Sequence, residues 1–388
     1  MTGADRNPDA DLSSGSGPGR DRDLDAVELV RVRLPLRRTL RSGHGTETVR
    51  EVVLVRVIGT DGVEGWGECS ALEAPTYTGE YTDGAWPVLR DLLVPALLDG
   101  RRLAVRGHPF ASAAVHLAQW DRRLRGEGRP AAPPRHPGLA WTAVLGLPDG
   151  DSVERDGTAA VAAGATALKV KVTPSVSPMW LARLRVALPA VAVAVDANGG
   201  FRDAERELVD LADALAAGTD SGSDAVSRVY VEQPLPADDL VAHARLAPRL
   251  AVPIALDESI RAPGDVDTAW ALGAAALVNV KPAKLGGLGG WDEPGAPSVV
   301  TGAGPGRFLG GMVETGIGRA AALAIGATIG IDVTDLGPSS WYYDDDLTDP
   351  IELGADGRMH APDGPGIGVM PRADRLADVT VDRLLIRP

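Results

Sequence analysis

The chain predicts a (β/α)₈-type barrel of the α/β class, preceded by an N-terminal α+β capping domain. Three observations carry this expectation. Its 388 residues are enough for two domains. From Trp141 onwards, eight short apolar runs rich in Val, Ile and Ala alternate with mostly helical connectors, which is the rhythm of a parallel barrel. Six successive runs end in polar residues, and polar residues just past a barrel strand lie at the C-terminal mouth, where active sites sit.

Taken in order, residues 1–24 are polar and rich in Gly, Ser and Asp, so they are expected to form a disordered tail. The capping domain is placed at 25–135. Val27, Leu29, Val30, Val32 and Leu34 begin a first strand, Glu51–Ile58 forms a second and Gly62–Glu68 a third, with Thr60, Asp61 and Gly62 as the turn between the last two. Arg41–Thr46 reads as a polar, glycine-rich loop able to close over a site. Helical periodicity follows over 84–98 and 109–125. Residues 126–138 are rich in Pro and Gly and mark a connector.

The barrel is placed at 136–350, with a C-terminal segment, 351–388, returning to the cap. Its strand runs are Trp141–Leu145, Ala167–Val172, Val191–Val195, Val229–Val231, Pro253–Leu256, Ala276–Val280, Phe308–Val313 and, weakly, Ile331–Asp335. An open doubly wound sheet is the rival, weakened because no glycine-rich phosphate fingerprint follows an early strand. Residues 285–307 hold eight glycines and three prolines; a loop or broken helix is expected where the connector should be helical. Residues 218–227 are expected to form an exposed loop.

The formal net charge of −14 argues against nucleic acid or an anionic membrane as partner. It leaves room for a small carboxylate substrate, because a metal can reverse the local sign. No apolar segment resembles a signal peptide or approaches the ~20 residues of a membrane span, so a cytoplasmic protein is the default expectation, as monomer or homo-oligomer. The single Cys69 excludes an intrachain disulfide and a cysteine-based zinc site. Six histidines show no ligand spacing, with His44 in the Arg41–Thr46 loop the one exception worth watching.

Lysine usage points to the chemistry. Of 39 basic residues only four are lysines, Lys169, Lys171, Lys281 and Lys284, leaving 35 arginines. Arginine cannot give up its proton in a protein, whereas lysine can. Lys169 and Lys171 alternate on one strand and face inward together. Asp196, Glu232 and Asp257 follow at the ends of the next three runs, and Lys281 ends the sixth. The spacings 171→196, 196→232, 232→257 and 257→281 are 25, 36, 25 and 24 residues, about one βα unit each. Three carboxylates converging in a partly dry mouth repel one another. A divalent cation resolves this, and an all-oxygen donor set favours Mg²⁺, with Mn²⁺ as the alternative. Lys171 and Lys281 would face each other across the metal site, where like charge and burial lower a lysine's pKa toward that of a general base. Glu314, Gly310 and Gly311, at the end of the seventh run, are expected to line the substrate pocket, the glycines permitting close approach. Lys284, past the strand, reads as a surface or helix-start residue.

These residues resemble the enolase superfamily in its muconate-lactonising subgroup. The likeness lies in ALKVKV (a K-x-K strand), VDANGGF, VEQPL, LDESI and NVKPAKLGG. GVEGWGECSALEAPTYTGEYTDGAW and GGMVETGIGRAAALA are similar to the o-succinylbenzoate synthase and N-succinylamino acid racemase family. The resemblance implies that Asp196, Glu232 and Asp257 bind Mg²⁺, which chelates a substrate carboxylate and stabilises the enediolate formed when the α-proton leaves. It implies that Lys171 abstracts that proton, and that Lys281 stabilises the enediolate or acts on the opposite face. Lys169 would orient the carboxylate and depress the pKa of Lys171, and Asn198 would stand in the D-x-N strand beside the substrate. Residues 69–80 of the cap would contact the substrate's distal part. The reaction implied first is Mg²⁺-dependent dehydration of 2-succinyl-6-hydroxy-2,4-cyclohexadiene-1-carboxylate, a step towards menaquinone. N-Succinylamino acid racemisation is the alternative, with dipeptide epimerisation third.

Overall fold

A computed structural model describes residues 23–42, 45–101, 103–217, 228–288 and 304–388. The tail up to residue 22, the loop 218–227, residues 289–303 of the glycine-rich connector and His44 lie outside the described residues.

The cap begins with strands β1 (Leu24–Ser42), β2 (Gly45–Gly59) and β3 (Glu64–Cys69). With β12 (Thr380–Ile386), from the far end of the chain, they form an antiparallel sheet ordered β12-β1-β2-β3. Both faces of β1 and β2 are apolar. Val27, Leu29, Val53 and Val55 pack under the cap helices. Val30, Val32, Leu34, Val52 and Leu54 pack toward the barrel. The first two strands run further than the sequence pattern foretold. Leu40 pairs with Glu47, Arg41 with Thr46 and Ser42 with Gly45, so the described residues of this stretch continue the strand ladder where an open loop is expected. Helices α1 (Thr82–Val88), α2 (Val94–Leu98) and α3 (Pro109–Gly126) follow, with a π turn at Leu89–Leu93. A Cβ on Gly65 or Gly67 would collide with the backbone of α3 at Ala118 and Ala114. The Gly-Trp-Gly stretch therefore lets strand and helix touch backbone to backbone.

The eight apolar runs become eight parallel strands: β4 (Leu139–Leu145), β5 (Ala167–Lys171), β6 (Ala192–Asp196), β7 (Val231–Glu232), β8 (Ile254–Leu256), β9 (Leu277–Val280), β10 (Gly306–Leu309) and β11 (Val333–Thr334). Each pairs with its sequence neighbour, and β11 pairs with β4, which closes the barrel. The helices outside are α4 (Ser152–Ala162), α5 (Met179–Ala187), α6 (Glu205–Ala216), α7 (Leu240–Leu246), α8 (Pro263–Leu272) and α9 (Gly316–Thr328). Inside, Ala194, Tyr230, Ala255, Leu277 and Phe308 form an apolar floor, with Tyr230 and Phe308 stacked at 5.2 Å. Small and large side chains from successive strand runs fill this part of the barrel as a core rather than a pore.

Between β9 and β10, the described part of the connector is a single tight turn, Gly286–Leu288. Gly286 and Gly287 have φ of 73° and 77°, which no helix can continue. Gly287 abuts Ala113 of α3, and the Gly286 carbonyl lies 3.0 Å from His116 Nδ1, so the glycines dock this turn on the cap. Among the described residues no helix is long and apolar enough to cross a membrane.

Candidate active site

The parallel register gathers the strand-end groups at one level. Lys171 stands opposite Asp196, and Asp196 opposite Glu232. In a parallel pair, partners in register point to the same face, so all three enter the mouth. Asp257 follows β8 and Lys281 follows β9. The cavity they line also takes in Leu72 and Tyr77 from the cap, and Leu40, Arg41 and Glu47 from the β1–β2 hairpin.

Every acid in the row has a lysine. Lys171 Nζ donates to Asp196 Oδ2 at 2.7 Å and to Asn198 Oδ1 at 3.2 Å. Lys169 Nζ donates to Glu232 Oε2 at 2.6 Å and also to Asp335. Lys281 Nζ donates to Asp257 Oδ2 at 2.9 Å. Lys284 Nζ donates to Asp257 Oδ1 at 2.6 Å and to the Asp257 carbonyl at 2.7 Å.

Two expectations need correction here. Lys284 is not a surface residue: it is 1% exposed, because the turn after Lys281 folds it back onto Asp257. Gly310 does not line the cavity. A Cβ there would strike the side-chain oxygen of Asn279, so this glycine makes room for Asn279, while Gly311 and Glu314 do line the cavity.

The electrostatics also differ from the expected lowering of lysine pKa. Burial alone would lower Lys169, but Asp335 and Glu232 outweigh it and hold the lysine well above its ordinary value. Lys281 is raised in the same way, burial being outweighed by Asp257 and Glu232. Lys284 is lowered, by burial and by the neighbouring charge of Lys281 against the pull of Asp257. On the acid side, burial opposes ionisation of Asp257, yet Lys281 and Lys284 hold it far below the usual carboxylate range. Glu232 goes the other way. Burial and the charges of Asp196, Asp257 and Asp335 overcome Lys169 and push it up to about 8.

The placement of these groups bears on how a cation fits. As placed, each carboxylate turns to a lysine, and no trio of acidic, His or Cys side chains among the described residues is gathered tightly enough to hold an ion. The donor set nevertheless suits a hard cation, being three carboxylates from adjacent strands with no soft ligand. Glu232 carries an excess of negative surroundings that its lysine does not neutralise, and Asp335 Oδ1 and Asn279 Oδ1 are buried without a hydrogen-bond partner. Turning the carboxylates from lysine to ion would relieve the first and leave the lysines free to titrate.

Comparison with known proteins places this geometry. Residues 153–375, more than half of the chain, match the family model described as enolase C-terminal domain-like. The chain belongs to the enolase superfamily. It is 34% identical over 390 residues to an N-succinylamino acid racemase of Amycolatopsis sp, covering 94% of this chain and 99% of that one. It is also 34% identical over 365 residues to an o-succinylbenzoate synthase of Geobacillus stearothermophilus, covering 89% and 92%. A solved enolase superfamily member from Listeria innocua superposes with a TM-score of 0.81 at 25% identity, over 94% of this chain and 99% of that one.

Within this superfamily member, four site residues escaped the sequence reading. Asp335 could have been found by the strand-end rule, because it closes the eighth run. Lys284 was flagged by lysine scarcity and set aside. Asn279, whose Nδ2 donates to Glu232 Oε1 at 2.8 Å, is inconspicuous in Asn-Val-Lys-Pro. Tyr77 lies in the cap segment 69–80 expected over the substrate, but was not singled out: its hydroxyl donates to Asp257 Oδ1 at 2.7 Å and accepts from Lys281 Nζ at 3.0 Å. The Gln of Val-Glu-Gln-Pro-Leu also gains a role. Gln233 Oε1 accepts from the backbone N–H groups of Asp257 and Ser259, both at 3.1 Å, so it fixes the turn that presents Asp257.

Proposed function

We propose that this enzyme removes the proton α to a substrate carboxylate with Mg²⁺ held by Asp196, Glu232 and Asp257, and that its reaction is the dehydration yielding o-succinylbenzoate. The observation that carries the reading is the row Lys171–Asp196–Glu232–Asp257–Lys281, continuous in one mouth with a lysine at each flank. When bound, a divalent cation there draws negative charge from the substrate carboxylate as the α-proton leaves. Lys171, as the free amine, takes the α-proton. The C–H electron pair becomes the new ring double bond, and the neighbouring hydroxyl departs as water with the proton that Lys171 returns. Lys281 places a positive charge beside the oxygen on which negative charge develops. Lys169 and Asn198 orient the carboxylate, Gly311 and Glu314 face the rest of the substrate, and the cap residues Leu72 and Tyr77 cover it and exclude water.

A second reading, racemisation of N-succinyl amino acids, is favoured by the two-sided placement of the lysines. A base on one face and an acid on the other invert a carbon, whereas dehydration on one face needs only one of them. The relatives at 34% identity carry both names. The deciding experiment is turnover of each substrate by purified protein, with Mg²⁺ and with EDTA. Mg²⁺-dependent aromatisation supports the first reading and loss of optical rotation the second; no turnover of either substrate removes both.

A further inference from the structure

The chain between β10 and α9 passes through Met312, Val313 and Glu314. Val313 has φ of 56°, left-handed territory that a β-branched residue enters at a cost. Such a conformation persists only when its surroundings over-determine it, and here they do. The Met312 carbonyl accepts from Arg50 Nε at 3.0 Å, the Val313 carbonyl from the Tyr343 hydroxyl at 2.7 Å, and the Glu314 carbonyl from Arg319 Nη2 at 3.0 Å. The donors come from the cap sheet, from the segment after the barrel and from α9. Three independent parts of the fold thus clamp three consecutive carbonyls.

The clamp aims the side chain of Glu314. It is 3% exposed and lines the cavity, yet its Oε2 is buried without a hydrogen-bond partner. Behind it stands Glu68, at the end of β3. A Cβ on Gly318 would lie 2.8 Å from Cβ and Cγ of Glu314 and 2.9 Å from Cδ of Glu68, so the two acids pack against the same glycine. Glu68 is fully provided for: it accepts from Ser70 Oγ at 3.1 Å, Thr315 N at 3.3 Å, Thr315 Oγ1 at 2.6 Å and Gly318 N at 3.0 Å. Burial, joined by the charge of Glu314 and opposed by the Thr315 bond, raises Glu68 to about 7. Glu68 thus takes Thr315 and the N–H of Gly318, Asp346 takes the N–H of Gly316 and the Thr315 hydroxyl that of Ile317, so the donors at the head of α9 are used and Glu314 Oε2 has none.

We infer that Glu314 accepts a hydrogen bond from an amide N–H or hydroxyl on the substrate, and that Glu68, reaching over from the capping sheet, is the positioning residue that keeps Glu314 aimed at that donor. An unpaired acceptor in a dry pocket is costly until a ligand supplies the donor. The pair thereby selects donor-bearing carboxylates, N-acyl amino acids among them. This inference rests on the proposed function for the substrate class, but binding tests it without turnover.

Calorimetry in Mg²⁺ compares an N-succinyl-L-amino acid with its N-methyl counterpart, which lacks the donor. A hydrogen bond to a charged group is worth roughly tenfold or more in affinity. The expected result is preference for the N–H ligand in the wild type, reduced to within about twofold in Glu314→Leu and in Glu68→Gln, as in any double-mutant cycle that removes one partner. Thr315→Val, which deletes one donor to Glu68, is the second positioning variant and should also lose the preference. A preference unchanged in Glu314→Leu overturns the donor reading. A preference lost in Glu314→Leu but kept in Glu68→Gln and Thr315→Val overturns the positioning role, as does equal weakening toward both ligands. Wild-type protein that prefers the N–H ligand but turns over neither the cyclohexadiene carboxylate nor the N-succinyl amino acid refutes the proposed function alone; wild-type protein that binds the N–H and N-methyl ligands equally refutes the donor reading alone.

Discussion

Replacing Lys171 by Met separates the lysine's chemical role from its structural one. The methionine keeps much of the side-chain volume and loses the ammonium. The chemical loss is that of a general base, ~10²–10⁴-fold in rate. The structural loss falls on Asp196, which is 4% exposed. It gives up the 2.7 Å bond from Lys171 but keeps the backbone N–H of Asn198 at 3.1 Å. One charge-assisted hydrogen bond contributes about 1.5–3 kcal/mol, and Lys171 is partly open to water, so about 2 kcal/mol of stability should go. Mg²⁺ at a hundred times its Kd stabilises a folded protein by about 2.7 kcal/mol. In the wild type part of that gain is spent displacing Lys171 from Asp196; in the variant it is not. The expected signature is therefore α-proton exchange in D₂O, followed by NMR, down by at least ~10²-fold, together with a larger Mg²⁺-induced rise in urea midpoint than the wild type shows. Exchange within about tenfold of wild type would remove Lys171 as the base. A variant that Mg²⁺ no longer stabilises would show that Asp196 is not a ligand.

Lys281→Met should abolish racemisation while α-proton exchange persists for one enantiomer of an N-succinyl amino acid, because Lys171 still serves its own face; equal loss for both enantiomers contradicts the two-sided arrangement. Asp346→Ala should lower unfolding stability by about 3–5 kcal/mol, read by urea denaturation, because Asp346 pairs with Arg319 where both side chains are wholly buried and also accepts from Ser339 and from the N–H of Gly316; a loss below about 1 kcal/mol refutes that role. Glu80 gives a pH signature. Burial raises it from 4.5 to about 7, against the bonds it accepts from Ala111 and Phe110. The folded state then holds a proton that the unfolded state has released, so stability falls as pH rises from about 4.5 to about 7 and is flat above. The fall is about 3 kcal/mol, from about 1.4 kcal/mol per pH unit, and Glu80→Gln should remove it from the urea midpoint profile; parallel profiles for the two proteins would exclude Glu80 as its source.

What was legible in the sequence was whatever depends on neighbouring strands. Each barrel strand is an apolar run, and each site acid is the first polar residue after one, so a local pattern placed Asp196, Glu232 and Asp257 in one mouth. What was hidden depends on chain reversal or docking. Lys284 lies three residues past Lys281, and only a tight turn, with no periodicity to betray it, sends it inward to Asp257. Tyr77 reaches Asp257 from 180 residues away, through a cap-to-barrel contact that no window of sequence contains. The ends of β1 and β2 were misread because Arg41–Thr46 is Gly-rich and polar, as a loop would be. Its pairing is imposed by the long apolar strands behind it, which continue the ladder to Ser42 and Gly45.

The scarcity of lysine has an electrostatic meaning once all four are placed. Every lysine of the chain donates to an acid of the mouth: Lys169 to Glu232 and Asp335, Lys171 to Asp196, Lys281 and Lys284 to Asp257. Four ammonium groups thus face the four carboxylates they bond, and this row is formally neutral. Admitting a dication alone would leave two uncompensated positive charges in a poorly solvated site, and admitting a dicarboxylate alone would leave two negative ones. Under the proposed function, admitting both restores balance, so metal and substrate should favour each other's binding, a coupling that is reciprocal by linkage. Lysine suits this exchange better than arginine. Its ammonium is a point charge on a flexible stem that can swing off a carboxylate when an ion takes its place, and it can then lose its proton. An arginine fork would hold the carboxylates in fixed geometry and never become a base. In a chain that otherwise uses arginine almost throughout, the site keeps lysine where charge must move.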